Sequence, residues 1–174
     1  MAYVVDVLFF KHKKQTQIAK EMAIASVEED NENAKVFLFK PPFCWSKLSR
    51  KYRRENIFQE LYNHGLTWDS GEVEFHSVGS ILKSTLQNAR TVYVNHYQIK
   101  QWLENFNFDL VIVDISDLGY ENDSFSTAEC DHHNRAYRST CALHNVGKMK
   151  TFVEELLDRK RRKKEEQLTE DDVG

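Results

Sequence analysis

Two cysteines and two histidines lie close together in the stretch CDHHNRAYRSTC, which spans residues 130–141. Cys130 and His133 are three positions apart, so a single turn of chain can aim both side chains at one ion. Cys141 follows eight positions after His133, and two thiolates with one imidazole suit zinc in a tetrahedral site. The spacing therefore predicts one metal site that still lacks a fourth ligand. The candidates left open for that place are His132, His144, Cys44 and a distant carboxylate.

The same residues have other interpretations. Cys130 and Cys141 could form a disulfide, or be small buried apolar residues beside surface histidines. The first residues, MAYVVDVLFFKHKK, show no basic region before the apolar run and no cleavage site after it. No run reaches the ~20 apolar residues of a membrane span. We therefore expect an intracellular protein, cytoplasmic or nuclear, without a membrane partner. In a reducing compartment a metal site is favoured over a disulfide.

The composition predicts one globular domain. A chain of 174 residues, 41% of them apolar, is long enough to bury a core that is stable without disulfide bonds or bound metal. The net charge of −3 requires any nucleic-acid surface to be a local patch. The six glycines are scattered and form no phosphate-binding loop, and no nucleophile elbow is present. We expect no small-molecule substrate.

We place the domain at residues 1–158 and a charged tail at 159–174. Six consecutive basic residues, 159–164, precede an acidic end. This pattern predicts a solvated helix end followed by a disordered tail, and basic residues there also favour the helix dipole. The alternatives are a nuclear-import signal and an RNA-contacting arm.

Apolar periodicity predicts an α/β (mixed α+β) fold. Three short apolar runs separated by polar breaks predict an antiparallel meander of three strands. Helices and two further strands then alternate before a long terminal helix, and the fifth strand is apolar enough to be buried on both faces. The strands are expected at 3–10, 21–27, 35–40, 91–95 and 109–115, and the helices at 46–62, 74–87, 97–106 and from 142 onward. A ribonuclease H-like mixed sheet flanked by helices has this plan, as do other mixed folds.

The cysteine–histidine stretch also resembles a known family. Its pattern is Cys, two residues, His, seven residues and Cys, followed by ALHNV, and it is similar to the C-terminal part of the Maelstrom domain. That resemblance implies a ribonuclease H-like fold and one structural zinc bound by Glu, Cys, His and Cys. The family's Glu lies in a second strand similar to AKEMAIASVEED, which implies Glu21 as the fourth ligand beside Cys130, His133 and Cys141. Without the resemblance, Glu21 is expected to be a solvent-facing carboxylate.

The resemblance also bears on catalysis. DEDD-type exonucleases of this lineage hold two metal ions with four carboxylates and use a helping histidine. In this chain Asp6 is present, but Leu8 stands where a Glu is expected, and Thr140 and Asn145 stand where a His and an Asp are expected. We therefore expect the two-metal exonuclease activity to be lost and no catalytic residue to remain.

Two basic clusters are candidates for RNA contact. Lysines follow the first strand, and a basic stretch of the first helix lies near the aromatic residues Trp45 and Tyr52. Basic groups interleaved with aromatic rings suit single-stranded RNA, whereas the simpler interpretation is a solvated helix face with core aromatics. The candidate residues are Lys11, Lys13, Lys14, Arg50, Lys51, Arg53 and Arg54.

The expected function is that of a catalytically degenerate, zinc-containing domain. The resemblance implies that it binds single-stranded RNA or scaffolds a small-RNA (piRNA-type) transposon-silencing complex with protein partners. The alternatives are a protein-interaction adaptor without RNA binding and a residual nuclease.

Overall fold

A five-stranded mixed sheet forms the centre of the fold, which confirms the predicted α/β class. The structure is a computed structural model that describes residues 1–13, 16–122, 133 and 140–171. The strands are β1 (Ala2–Lys11), β2 (Gln17–Ser26), β3 (Lys35–Leu38), β4 (Thr91–Val94) and β5 (Val111–Asp114). Their order is β3-β2-β1-β4-β5. The first three strands form the predicted antiparallel meander, and β4 and β5 run parallel to β1.

Four α-helices flank this sheet: α1 (Arg50–Gln59), α2 (Val78–Thr85), α3 (Tyr97–Glu104) and α4 (Ala142–Asp171). Side chains alternate between the two faces of a strand, so each face has its own core. Val5, Val7 and Met22 pack with α2 and α3 on one face. Val4 and Ala23 pack with α4 on the other face. Each of these three helices therefore buries its apolar side against the sheet face that it covers.

A third cluster of apolar side chains lies beside the β1–β2 hairpin, where Phe10, Ile18, Leu48 and Trp68 pack together. A buried lysine ties this region to the sheet. The ammonium of Lys20 donates to the carbonyl oxygens of Phe39 at 2.9 Å and Trp68 at 2.8 Å, and to that of Ser70.

Strands β2 and β5 differ from the sequence predictions. Strand β2 begins at Gln17, so Glu21 lies in its middle rather than at its start. Strand β5 is at the edge of the sheet, and Val111 is 61% exposed. The expectation that β5 is buried on both faces is therefore wrong for Val111, whereas Ile112 and Val113 are partly buried against the cores of the two faces.

Helix α4 includes the six basic residues, where a solvated helix end is expected, and continues to Asp171 in the part expected to be disordered. Residues 159–168 are all exposed, and Arg161 donates to Asp158 at 3.0 Å within the helix. Arg, Lys, Glu and Gln are good helix formers, so the segment stays helical without packing against the domain. Among the described helices, none is both long and apolar enough to span a membrane.

Candidate metal centre

Three potential metal ligands meet between the sheet and the start of α4. They are Glu21, His133 and Cys141, and one ligand atom of each lies within 4.8 Å of the others. All three are buried, and Glu21 is completely inaccessible to solvent. This cluster can hold a metal ion.

The side-chain alternation of β2 carries Glu21 to this place. Ala23 and Ala25 point to the sheet face that α4 covers, and Glu21 belongs to the same alternating set. The backbone N–H of Ala142 donates to Oε1 of Glu21 at 2.8 Å. The first N–H groups of a helix lack partners within the helix, so the carboxylate satisfies one of them while it is held in place.

The end of α1 positions His133. A wide helical turn over Glu60–His64 continues α1 and stops at Gly65, whose φ of 67° is left-handed. The ring Nδ1 of His64 accepts from the backbone N–H of Leu66 at 3.1 Å, which fixes the turn. The carbonyl of His64 is then free to accept from the Nδ1–H of His133.

Nε2 of His133 faces the carboxylate of Glu21, at 3.1 Å from Oε1 and 2.9 Å from Oε2. Burial alone lowers the pKa of His133, but the hydrogen bond and negative charge of Glu21 and the carbonyl of His64 outweigh burial and raise the pKa above its usual value. A buried carboxylate needs a cation, and a protonated imidazole or a metal ion can supply it.

The arrangement fits a metal ion well. A metal-bound histidine usually donates its other ring N–H to a carbonyl or carboxylate, and His133 does this toward His64. Ligand atoms at ~2.0–2.3 Å from a tetrahedral ion lie about 3.5 Å from one another, and the three potential ligand atoms here lie within 4.8 Å of one another. An ion would take the place of the proton on Nε2 of His133.

The sequence offers four other candidate ligands. Cys130 and His132 lie outside the described residues. Cys44 is exposed, and neither it nor the half-buried His144 belongs to the cluster. The alternative interpretations, in which Glu21 faces solvent and His133 lies at the surface, are wrong, because both residues are buried.

Asp6, Thr140 and Asn145 also meet, near the cluster that contains Glu21. Nδ2 of Asn145 donates to Oδ2 of Asp6 at 2.7 Å and to Oγ1 of Thr140 at 3.1 Å. Leu8 is buried in the core that α4 covers. Among the described residues, one group of three potential metal ligands is found, namely Glu21, His133 and Cys141, which we call the Glu21 cluster. In that part of the chain, the paired carboxylates of a two-metal site are therefore not assembled around Asp6.

Asp114, at the end of the fifth strand, has a local role. Asp114 ends β5 and accepts from the N–H of Ser116 at 3.0 Å and from its hydroxyl at 2.6 Å. It therefore caps the short 3-10 helix Ile115–Leu118, as expected of a residue that ends the strand.

A groove of about 880 Å³, which we call the basic groove, lies between the β1–β2 hairpin, α1 and α3. Its basic side chains are Lys11 and Lys51, and its acidic side chain Glu55 lies 4.0 Å from the ammonium of Lys51. Its aromatic walls include Tyr52, Tyr97 and Trp102. The ring of His12 stacks on that of Tyr52, with 6.0 Å between centroids. The groove thus combines cationic groups with aromatic faces along one surface.

Some of the predicted RNA-contacting residues line the basic groove, and others do not. Lys11 and Lys51 line it, and Arg50 and Arg54 line an adjoining hollow of about 520 Å³ with Lys51. Lys13 is exposed after β1, and Lys14 lies outside the described residues. Arg53 is half-buried. Trp45 packs edge-on against Trp68 at 5.5 Å and thus belongs to the core, as the simpler interpretation had it.

Sequence reasoning missed the contribution of α3 to this groove. Ile99 and Leu103 turn inward, which leaves Tyr97 60% exposed at the opposite side of the helix. The sequence indicates an exposed tyrosine on an amphipathic helix, which is typical of a binding surface. It does not indicate that this tyrosine lies near α1, because that depends on the tertiary fold.

No protein-family model, curated protein sequence or solved structure matches this chain significantly.

Proposed function

We propose that this chain is a metal-stabilised, catalytically degenerate ribonuclease H-like domain that binds single-stranded RNA. The observation that carries the proposal is the basic groove, in which Lys11 and Lys51 flank exposed or half-buried aromatic rings. Lysines neutralise phosphates and aromatic rings stack on unpaired bases, which is how single strands are bound without a duplex. The resemblance to the Maelstrom domain supports a role for this binding in a small-RNA silencing complex.

The metal of this domain is zinc in our proposal. Thiolate, imidazole and carboxylate together form a donor set that zinc accepts in a tetrahedral structural site. Glu21, His133 and Cys141 supply three ligands, and Cys130 completes the set, as the resemblance implies. The ion would fix the start of α4 against β2 and carry out no chemistry on RNA.

Loss of nuclease activity is part of the same proposal. The contact between Asp6 and Asn145 supports it, because an amide that donates to a carboxylate cannot share a divalent cation with it in the way a second carboxylate does.

Mobility shifts with unstructured single-stranded RNA at low and moderate salt test RNA binding. The triple variant Lys11→Ala/Lys51→Ala/Arg54→Ala should bind about tenfold or more weakly, and its affinity should depend less steeply on salt. The control is Lys35→Ala/Lys83→Ala, which removes exposed lysines that do not line the groove. Equal loss in both variants, or no RNA retardation by the wild type, would contradict the proposal.

A protein-interaction adaptor is the second candidate function, and one surface favours it. Ile57, Phe58, Leu61 and Tyr62 are all exposed along one side of α1 and the turn that follows it. Exposed apolar patches of this kind often mark contacts with other proteins. Absence of RNA binding by the wild type at low salt would favour this function over the first.

A further inference from the structure

A polar cavity of about 360 Å³, which we call the amide cavity, lies next to the basic groove. It is bordered by β1, the ends of α1 and β4, and the starts of α3 and α4. Most of its polar lining is carboxamide, which distinguishes it from the basic groove. The carboxamide residues include Gln59, Asn63, Asn95, Gln98, Asn122 and Asn145.

The charges around the amide cavity disfavour a phosphate ligand. Lys11 and Asp6 both line it, and their opposite charges leave little net attraction for an anion. Carboxamides instead offer a donor and an acceptor side by side. The edge of a nucleobase presents the complementary pair, which is why Asn and Gln bind bases in a bidentate way.

Several polar groups that line the cavity can still form hydrogen bonds with a ligand. Oδ1 of Asn122 is shielded from solvent and has no hydrogen-bond partner within the described residues. Nδ2 of Asn63 donates to Oε1 of Gln59 at 2.6 Å, so the opposite ends of these two amides remain for a ligand. Buried polar groups are normally satisfied, so Oδ1 of Asn122 points to a polar ligand.

The amide cavity adjoins the basic groove. Lys11, Gln17 and Gln98 line both of them. A single-stranded RNA bound in the groove can therefore place one base in the cavity while its backbone stays in the groove. The volume of the cavity is at the lower end of the range for small-molecule sites, which suits one base rather than two.

We propose that the amide cavity binds the base of one unpaired nucleotide and recognises it by its hydrogen-bonding edge. This inference rests on the proposed RNA binding and makes it more specific. It predicts that one position of a bound strand is read by base, while the neighbouring positions are held by phosphate contacts and stacking.

The test is an abasic scan of a short single-stranded RNA, with affinity measured by fluorescence anisotropy. Removing the base at one position should weaken binding about tenfold, and removal elsewhere should have a smaller effect. Asn95→Ala and Gln98→Ala should weaken binding of the intact RNA but leave the affinity for the RNA that is abasic at that position unchanged. The matched controls are Asn88→Ala and Gln87→Ala, which change exposed amides in the turn after α2.

The outcomes separate this inference from the function on which it rests. Binding that is equally sensitive to base removal at every position would overturn the amide cavity as a base site and leave RNA binding intact. Equal loss for intact and abasic RNA in the Asn95→Ala and Gln98→Ala variants would overturn it as well. No RNA binding by the wild type would overturn both, and unchanged thermal midpoints would show that the variants are folded.

Discussion

At the scale of single residues, Asp6 is a buried carboxylate that has an amide, Asn145, as its partner. The pKa of Asp6 is raised from 3.8 to about 6, chiefly by burial and also by the charge of Glu21, although the hydrogen bonds from Asn145 and the backbone of Val7 act to lower it. The folded protein therefore holds the Asp6 proton more tightly than the unfolded chain does. Between pH ~4 and ~6 the stability contributed by this proton falls as pH rises, and above that window it is absent.

This pKa predicts the effect of Asp6→Asn. The variant should match the wild type at pH 4 and have a higher free energy of unfolding at pH 7.5, by at most about 3 kcal/mol. Its neutral side chain still accepts from Asn145 and avoids burying a charge. Urea unfolding at the two pH values measures the difference, with the exposed Asp109→Asn as control. A variant that is less stable at pH 7.5 would show that the Asp6 charge is stabilised by a partner.

At the scale of secondary-structure elements, Lys20 links β2 to the loop that contains Trp68. Burial lowers the pKa of Lys20 to about 8, while the charges of Asp69 and Glu60 act to raise it. The ammonium is therefore still largely charged at neutral pH, and its three carbonyl acceptors compensate for its burial.

Replacing Lys20 by Met should destabilise the fold by about 3 kcal/mol, because three inward-facing carbonyl oxygens would lose their donor. Thermal or urea unfolding at pH 7 measures this change. Lys83→Met, on the exposed side of α2, is the control and should alter stability by less than about 0.5 kcal/mol. Similar effects in the two variants would mean that the carbonyl oxygens find other donors.

The charged end of α4 makes a second prediction at this scale. Residues 159–168 are exposed, so a chain that ends at Asp158 should keep the unfolding free energy within about 0.5 kcal/mol. Its far-UV circular dichroism should show less helix than the full chain. A marked loss of stability would indicate that this end packs on the domain, and an unchanged helical signal would indicate that it is not helical in solution.

Elements that depend on local sequence patterns can be predicted from the sequence, whereas features that depend on long-range contacts cannot. The meander follows from local alternation and polar breaks, so its three strands can be predicted from the sequence. The exposure of Val111 depends on which strand lies at the sheet edge, and that is a long-range property. The end of α4 differs from its prediction because its dense charge favours disorder, whereas the helix propensity of the same residues prevails.

The candidate site shows the same division. His133 and Cys141 are predicted by their short spacing in the chain. Glu21, 112 positions before His133, comes only from the family resemblance, since no local pattern links them. The basic groove is predicted in part, through Lys11 and Lys51, but the approach of Tyr97 requires the fold.

At the scale of the whole molecule, the Glu21 cluster joins the middle of the sheet to the start of the longest helix. Closing so long a loop costs chain entropy, and a metal bound only by the folded chain would offset that cost. The ion would then contribute to the folding free energy of the entire domain.

Metal content tests this central claim most directly. Inductively coupled plasma mass spectrometry of protein purified without added metal should find about one zinc ion per chain. Glu21→Gln and Cys141→Ser should lose most of it and unfold at lower temperature, because each removes a charged ligand, while the exposed Cys44→Ser should retain it. Wild-type protein without bound metal, or a Cys141→Ser variant with its full zinc content, would contradict the account.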